Sequence, residues 1–246
     1  MTFLEARRNR ITMAFFFSSL VIVVSSFVFR EVTTTGLDVI VRDVGLATIH
    51  LFGLILAVLL GSSVLSREIE RKTLYMLITK PVSRASFAIG KISGVALTLL
   101  VTLGLMAGTF LLQQVVFGAP LGWILAQTCW LLFVQLVLVS CFAYFVSTFA
   151  SPLVSAFMAL GLFVVGESAG NVWTLAEHAE SAPYRLLLRS ICYLFPNLER
   201  MNLKSFAQVL RDVPGRTVLE QSVYGLIYIA LFVSGAVLVF RRRDMK

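Results

Sequence analysis

Residues 66–91 read SREIERKTLYMLITKPVSRASFAIGK, and this charged stretch separates two long apolar runs. It holds six basic residues and two glutamates in 26 positions, which is too many charges for a segment buried in hydrocarbon. The flanking runs, residues 44–66 and 92–166, contain no Asp, Glu, Lys or Arg. The stretch is therefore predicted to lie outside a membrane and to connect membrane-spanning segments on either side.

The composition of the whole chain indicates a membrane protein. Of its 246 residues, 58% are hydrophobic and 14% are charged, whereas soluble domains average about 25% charged residues. We therefore expect one all-α polytopic membrane domain over residues 1–246, with little room for a soluble domain. The net charge of +8 does not indicate nucleic-acid binding, because the basic residues lie at the edges of apolar runs, where they orient a membrane protein.

Six membrane-spanning helices are predicted from the apolar runs. A spanning helix needs about 20 mostly apolar residues, so the 75 uncharged residues of 92–166 must form several. The sequences Gly118-Ala119-Pro120 and Ser151-Pro152 divide that run, since proline stops one helix and begins the next. The predicted spans are residues 11–29, 44–66, 92–117, 121–149, 153–170 and 221–240.

The basic residues predict the orientation of these spans. Residues 1–10, 66–91 and 241–246 each carry an excess of basic residues, and six spans place all three segments on one side. The positive-inside rule makes that side cytoplasmic, with both termini inside. The first ten residues also alternate apolar and charged side chains, which predicts a short interfacial helix before the first span.

The outer segment between the fifth and sixth spans, residues 171–220, is predicted to form short amphipathic helices. Pro183 suits a helix start, and the apolar and basic faces up to Phe195 predict a helix lying on the outer membrane surface. A second short helix is expected over 198–212. Thr217 and Glu220 fit a capping box at the start of the last span.

One motif matches a catalytic pattern. Residues 166–170, Gly-Glu-Ser-Ala-Gly, fit the G-x-S-x-G elbow of serine hydrolases, which needs a strand, a sharp turn and a histidine partner. The motif instead ends an apolar run of helix length, and His178 lies ten residues beyond Ser168. We therefore interpret Ser168 as a small residue at a helix interface and keep an intramembrane hydrolase as the weaker hypothesis.

Small and polar residues within the spans predict helix packing. Glycines four residues apart let helices approach closely, and such pairs are Gly90/Gly94, Gly104/Gly108 and Gly166/Gly170. The strongest polar groups in the spans are glutamines, of which Gln113, Gln127 and Gln135 are candidates for a substrate path. Hydrogen bonding between helices is the commoner role of such residues, and both interpretations stay open at this stage.

No chemistry of its own is expected from the chain. Its two histidines and three cysteines stand at no metal-ligand spacing, and it has no phosphate-binding loop. We therefore expect no metal site, no cofactor and no enzymatic activity in this chain. If the protein does work across a membrane, the energy must come from a partner that contacts the charged stretch.

Several segments match one family pattern in chain order. In the charged stretch these are Glu68, Glu70, Thr73, Leu74, Leu77, Pro81, Ser83, Arg84, Phe87, Gly90 and Lys91. Elsewhere they are residues 2–10, 43–46, 52, 61–63 and 194–200. With these features the chain resembles the ABC-2 type permeases of ABC transporters, especially the NosY-like subgroup.

The resemblance implies a permease subunit of an ATP-driven exporter in the inner cell membrane, paired with a second permease protomer as a homo- or heterodimer. Two copies of a separate ABC ATP-binding subunit would hold ATP and Mg, and the resemblance leaves room for a periplasmic or extracellular accessory protein. The stretch after the second span would be the coupling helix that contacts the ATP-binding subunit. Its expected contact residues are Glu68, Glu70, Arg71, Thr73, Leu74, Leu77, Pro81 and Arg84. The alternative hypothesis is a non-transporting membrane anchor that recruits an assembly partner.

Overall fold

The structure is a computed structural model that describes residues 17, 20, 21, 24, 37–70, 84–116, 118–179 and 181–242. All regular elements within these residues are helical, as predicted. They are α1 (Leu37–Glu70), α2 (Arg84–Val116), α3 (Trp123–Ser147), α4 (Pro152–Glu167), α5 (Ala169–Glu177), α6 (Ala182–Leu194), a 3-10 helix (Glu199–Met201), α7 (Lys204–Gln208) and α8 (Gly215–Arg242).

Four of these helices are long and apolar enough to cross a membrane. The qualifying segments are Val39–Val64 in α1, Ile89–Val116 in α2, Trp123–Ser147 in α3 and Gly215–Val239 in α8. Helices α4 and α5 pass the same test together, with a bend of 53° between them. The part of the chain that the structure describes therefore holds four candidate spans, or five if the bent pair counts as one.

The first predicted span, residues 11–29, falls largely outside the described residues. Its four described positions, Phe17, Leu20, Val21 and Val24, are helical and exposed. The span over residues 11–29, the interfacial helix before it, the total of six spans and the position of both termini on one side stay predictions, as does the assignment of residues 1–246 to one domain.

Both proline breaks are confirmed by local structure. Helix α2 ends at Val116, and Gly118 then takes a left-handed φ of 68°, a conformation that glycine adopts without steric cost. At the second break Ser151 caps α4, with its hydroxyl accepting the Val154 N–H at 3.4 Å. Pro152 occupies the first turn, where its missing N–H removes no hydrogen bond.

Several helix boundaries differ from the sequence predictions. Helix α1 extends beyond the predicted 44–66 at both ends, and the helix predicted over 153–170 ends at Glu167. The capping box is wrong, because α8 already begins at Gly215 and the Pro214 carbonyl accepts the Thr217 N–H. Its Glu220 instead pairs with Arg216 one turn earlier, at 2.9 Å.

Of the two helices predicted between α5 and α8, the first is confirmed and the second is wrong. Helix α6 matches the amphipathic helix predicted from Pro183, and it exposes Leu186 and Leu187. The single helix expected over 198–212 is absent, because only residues 199–201 and 204–208 are helical. Leu210 follows with a positive φ of 52°, which no continuing helix allows.

Helix α3 forms the centre of the described bundle. Its qualifying segment is 72% buried, compared with 22% for that of α8, and α1, α2, α4 and α8 all pack against it. Two glycines eight residues apart on α1 let this helix approach α3 closely. A Cβ at Gly53 would lie 2.6 Å from Leu136 Cδ1, and a Cβ at Gly61 would overlap the Ser140 carbonyl oxygen.

Among the described glycines, Gly166 and Gly170 differ from those of the other two predicted pairs. A Cβ at Gly90, Gly104 or Gly108 would have no other atom within 4 Å. Gly166 and Gly170, in contrast, lie directly against residues 196–199. The close-packed glycines of α1 are eight residues, or about two helical turns, apart. They therefore do not form the four-residue pairs that the sequence predicts to be packing sites.

Candidate functional site

Residues 196–208, called here the inserted segment, pack into the helix bundle with one side, while Glu199, Arg200, Ser205 and Phe206 stay exposed. Leu198, Met201, Leu203 and Ala207 are all buried, and α7 and the 3-10 helix pack against α1, α3 and α8. The sequence predicts one short helix over 198–212 within the outer segment, and it gives no indication of this burial. The hydrophobic effect explains the burial, because apolar side chains at these four positions are withdrawn from solvent by the surrounding helices.

The depth of the inserted segment follows from its contacts. A Cβ at Gly225 would lie 2.5 Å from Met201 Cε and 2.6 Å from Val134 Cγ1. Gly225 is ten residues into α8 and Val134 eleven residues into α3. With a rise of about 1.5 Å per residue, Met201 lies about 15 Å from the end at which both helices begin. The segment therefore reaches well into the bundle.

The carboxylate of Glu167 joins three parts of the fold. Glu167 is the last residue of α4, directly before the bend. Its Oε2 accepts a hydrogen bond from Gln135 Nε2 on α3 at 2.8 Å. Its Oε1 accepts a hydrogen bond from Asn202 Nδ2 in the inserted segment. Glu167 is therefore a principal polar connection between α3, α4 and the inserted segment.

Asn202 is held in the orientation that this bond needs. Its Oδ1 accepts the backbone N–H of Lys204 at 3.2 Å, which leaves its Nδ2 to donate to Glu167. The chain turn at 202–204 therefore aims the amide at the carboxylate.

A second carboxylate makes the reciprocal contact. Glu199 Oε2 accepts the backbone N–H of Gly170 at 2.5 Å, near the start of α5. Between these two contacts the Leu198 N–H donates to the Gly166 carbonyl oxygen at 3.0 Å. A side chain at Gly166 would lie 2.7 Å from both Leu198 Cγ and the Pro196 carbonyl oxygen. Glycine at 166 and 170 is therefore what lets the inserted segment lie against the bend.

This geometry explains the G-x-S-x-G motif without catalysis. Ser168 is the residue at which α4 ends and α5 begins, and its backbone N–H donates to the Val164 carbonyl oxygen. His178 Nδ1 pairs with the Thr174 carbonyl oxygen, and His50 contacts the Phe163 ring. Among the described residues neither histidine bonds Ser168, so the elbow geometry that a serine hydrolase requires is not present there.

Charged residues surround the other end of the inserted segment. Gln208 Nε2 donates to Asp43 Oδ1 at 2.5 Å, and Arg42 Nε donates to the Gln208 carbonyl oxygen at 2.9 Å. Burial lowers the pKa of Lys204, whereas the negative charges of Glu167 and Asp43 act in the opposite direction. Lys204 thus lies within the electrostatic reach of both carboxylates and offsets part of their charge.

The three glutamines proposed for a substrate path have different surroundings. Gln135 is fully buried and bonds Glu167, and Gln113 is buried on α2. Gln127 is half-buried, and its Nε2 lies 3.5 Å from the Val213 carbonyl oxygen. The Gln135 bond is the interhelical kind named as the commoner role, and a path lined by these residues stays a prediction.

The expected coupling residues lie at the limits of the described chain. Glu68 and Glu70 belong to the last turns of α1, and Arg84 begins α2. Arg71, Thr73, Leu74, Leu77 and Pro81 lie outside the described residues. Their role as partner contacts stays a prediction.

Sequence reasoning did not single out Glu167 or Asn202 as site residues. For Glu167, the short connection between α3 and α4 could have predicted its neighbour. Only four residues connect α3 to α4, so the two helices form an antiparallel hairpin. Gln135 is twelve residues before the end of α3, and Glu167 is fifteen residues after the start of α4, which places them at similar height. Asn202 gave no such signal, because its neighbour is set by how the inserted segment folds back.

A protein-family model matches nearly the whole chain. The family model described as "ABC-2 family transporter protein" matches residues 19–245. A search of curated proteins finds no match. The matched range includes the charged stretch, the α4–α5 bend and the inserted segment.

Proposed function

Because the chain belongs to the ABC-2 family of transporter proteins, we propose that it is the permease subunit of an ATP-driven exporter whose ATP is hydrolysed by a separate subunit. The observation that carries this proposal is the family match over residues 19–245, together with four or five candidate spans. The sequence has no phosphate-binding loop, so hydrolysis requires a partner that holds ATP and Mg.

The finer parts of the proposal are six spans, both termini in the cytoplasm, a second permease protomer and two copies of the ATP-binding subunit in the inner cell membrane. The basic residues at 1–10, 66–91 and 241–246 support the orientation. The NosY-like pattern in residues 194–200 supports the subgroup. Neither the basic residues nor the NosY-like pattern identifies the substrate. The family resemblance also leaves room for an accessory protein on the outer side of the membrane.

The shapes of α1 and α2 support coupling through residues 66–91. The apolar segment of α1 ends at Val64, but the helix continues to Glu70. Helix α2 begins at Arg84, five residues before its apolar segment. These extensions project by about 9 Å and about 7 Å. A rigid helix transmits a displacement along its axis, so a force applied between the two extensions would reach the bundle core.

A double substitution in the charged stretch tests the proposal. Leu74→Asp with Leu77→Asp would place two charges on the apolar side of the coupling helix, and we expect the ATP-binding subunit to be lost on purification. The matched control is Ser181→Asp with Ser190→Asp, which adds the same charges at exposed polar positions outside the candidate spans. The measurement is the stoichiometry of the co-purified ATP-binding subunit.

Normal stoichiometry in the Leu74/Leu77 double variant would contradict coupling through this stretch. If the native chain captures no ATP-binding subunit at all, the non-transporting anchor becomes the better hypothesis.

A further inference from the structure

The inserted segment is apolar in its contacts but has little regular structure of its own. Between Pro196 and Gln208 it contains one 3-10 turn and one helix of five residues. Irregular backbone deep in a membrane protein persists only where the protein supplies hydrogen-bond partners. Backbone bonds meet part of this need, because the Leu198 N–H donates to the Gly166 carbonyl oxygen and the Asn197 N–H donates to the Tyr224 hydroxyl oxygen. Side-chain hydrogen bonds to the surrounding helices add to these and help to keep the segment in the bundle.

Three side-chain contacts of the segment differ in their exposure. The Glu199–Gly170 and Asp43–Gln208 bonds each involve an exposed carboxylate, so water and salt weaken them. The Glu167 carboxylate is only partly accessible, and its α3 partner Gln135 is fully buried. A hydrogen bond in such a low-dielectric setting is stronger than one exposed to water. Among these three contacts Glu167 therefore holds the segment most strongly.

Glu167 also sits where movement of the spans would be felt. It precedes the 53° bend between α4 and α5, and it is bonded to α3, the central helix. A change in the angle between α3 and α4 would alter both of its hydrogen bonds at once. Asn202 is the partner that can leave, because it belongs to neither helix.

We propose that Glu167 is a latch: its bonds to Gln135 and Asn202 keep the inserted segment between α1, α3 and α8, and loss of the Asn202 bond releases the segment during the transport cycle. The first half concerns this chain alone. The second half rests on the proposed function, because it needs ATP-driven movement of the spans. In this role Glu167 is a positioning residue and contacts no substrate.

Cysteine accessibility tests the first half. The full chain is placed in lipid nanodiscs, so that water-soluble maleimide reaches both faces, with Cys129, Cys141 and Cys192 replaced by alanine. Ala207→Cys is the reporter, because Ala207 is fully buried in α7 and cysteine is a small change there. The measured quantity is the rate at which the introduced cysteine reacts.

We expect Glu167→Ala to raise that rate at least tenfold and Asn202→Ala to raise it severalfold. Glu167→Gln should lie between native and alanine, because its amide nitrogen cannot accept the second hydrogen bond. Glu220→Ala is the matched control, since it removes a carboxylate that is 62% exposed and pairs with Arg216 on the same helix. It should leave the rate unchanged.

Equal rates in the Glu167 variants and in Glu220→Ala would overturn the latch. If Glu167→Ala does not yield monodisperse protein, the reaction rates of Glu167→Gln and Asn202→Ala are compared with that of Glu220→Ala instead.

The second half is tested in the complex with its ATP-binding subunit. We expect trapping with ATP and vanadate to change the reaction rate of Ala207→Cys at least threefold in a chain that retains Glu167. An unchanged rate would overturn release during the cycle and leave Glu167 as a static brace. Failure to capture any ATP-binding subunit would count against the proposed function, while the nanodisc comparison would still decide the first half.

Discussion

Gln135 Nε2, in the middle of α3, donates a hydrogen bond to Oε2 of Glu167, the last residue of α4, at 2.8 Å. Gln135 is twelve residues from either end of α3, or about 18 Å by helical rise. A carboxylate therefore meets the central helix near its midpoint. Acidic groups at such depth are costly unless bonded, so the partners of Glu167 should be visible in stability as well as in movement.

Replacing Gln135 with methionine, which has a similar shape, should lower the free energy of unfolding by about 1–3 kcal/mol. The substitution removes a donor and leaves a carboxylate oxygen of Glu167 without it. Thermal unfolding of the purified chain in detergent measures the effect. For comparison, Gln127→Met should change the free energy by less than about 0.5 kcal/mol, because the Gln127 bond to Val213 is at the limit of 3.5 Å. Similar losses of unfolding free energy in both variants would contradict the conclusion that the Gln135–Glu167 bond stabilises the fold.

The α1–α3 contact predicts unequal tolerance of alanine among the glycines. Gly61→Ala should be destabilising by about 1–3 kcal/mol, because its Cβ would overlap the Ser140 carbonyl oxygen and lie 2.8 Å from Ala143 Cβ. Gly104→Ala meets no atom within 4 Å and should be neutral or stabilising by up to about 1 kcal/mol. The yield of monodisperse protein and the Tm of each variant rank Gly61→Ala against Gly104→Ala in stability. An order reversed from this one would show that α1 and α3 are not in close contact.

Ser168→Ala should leave stability and the ATPase activity of the complex unchanged within error. The Ser168 backbone forms the junction between α4 and α5, and alanine can make the same backbone bonds. Labelling with a fluorophosphonate serine probe is the direct check of chemistry at this position. Covalent modification that disappears in Ser168→Ala would revive the hydrolase hypothesis and contradict a purely structural role.

Six spans predict that residues near both ends of the chain are reached from the same side. Thr2→Cys and Met245→Cys should react with an impermeant maleimide only after cells are opened. Ser181→Cys, at an exposed position between α5 and α6, should react on intact cells. Opposite sides for residues 2 and 245 would mean that residues 11–29 do not cross, which would leave five spans.

The Pro152 and Gly118 breaks show how far local chemistry carries a prediction. Proline lacks an N–H and fixes φ, so the ends of α2, α3 and the start of α4 were readable from the residues themselves. The end of α4 was not readable in this way, because no proline or run of polar residues marks Ser168. The helix ends there where Gly166 and Gly170 admit the inserted segment, and that contact involves residues about 30 positions away.

The sequence by itself determined that this is an all-helical membrane protein, where most of its spans lie and which stretch is too charged for the membrane. These are properties of single segments, since hydropathy, helix length and proline act over a few neighbouring residues. Only the tertiary structure decided that residues 196–208 enter the bundle and that Glu167 bonds Gln135 and Asn202. That outcome depends on which surfaces become desolvated together, and residues far apart in the chain settle it jointly.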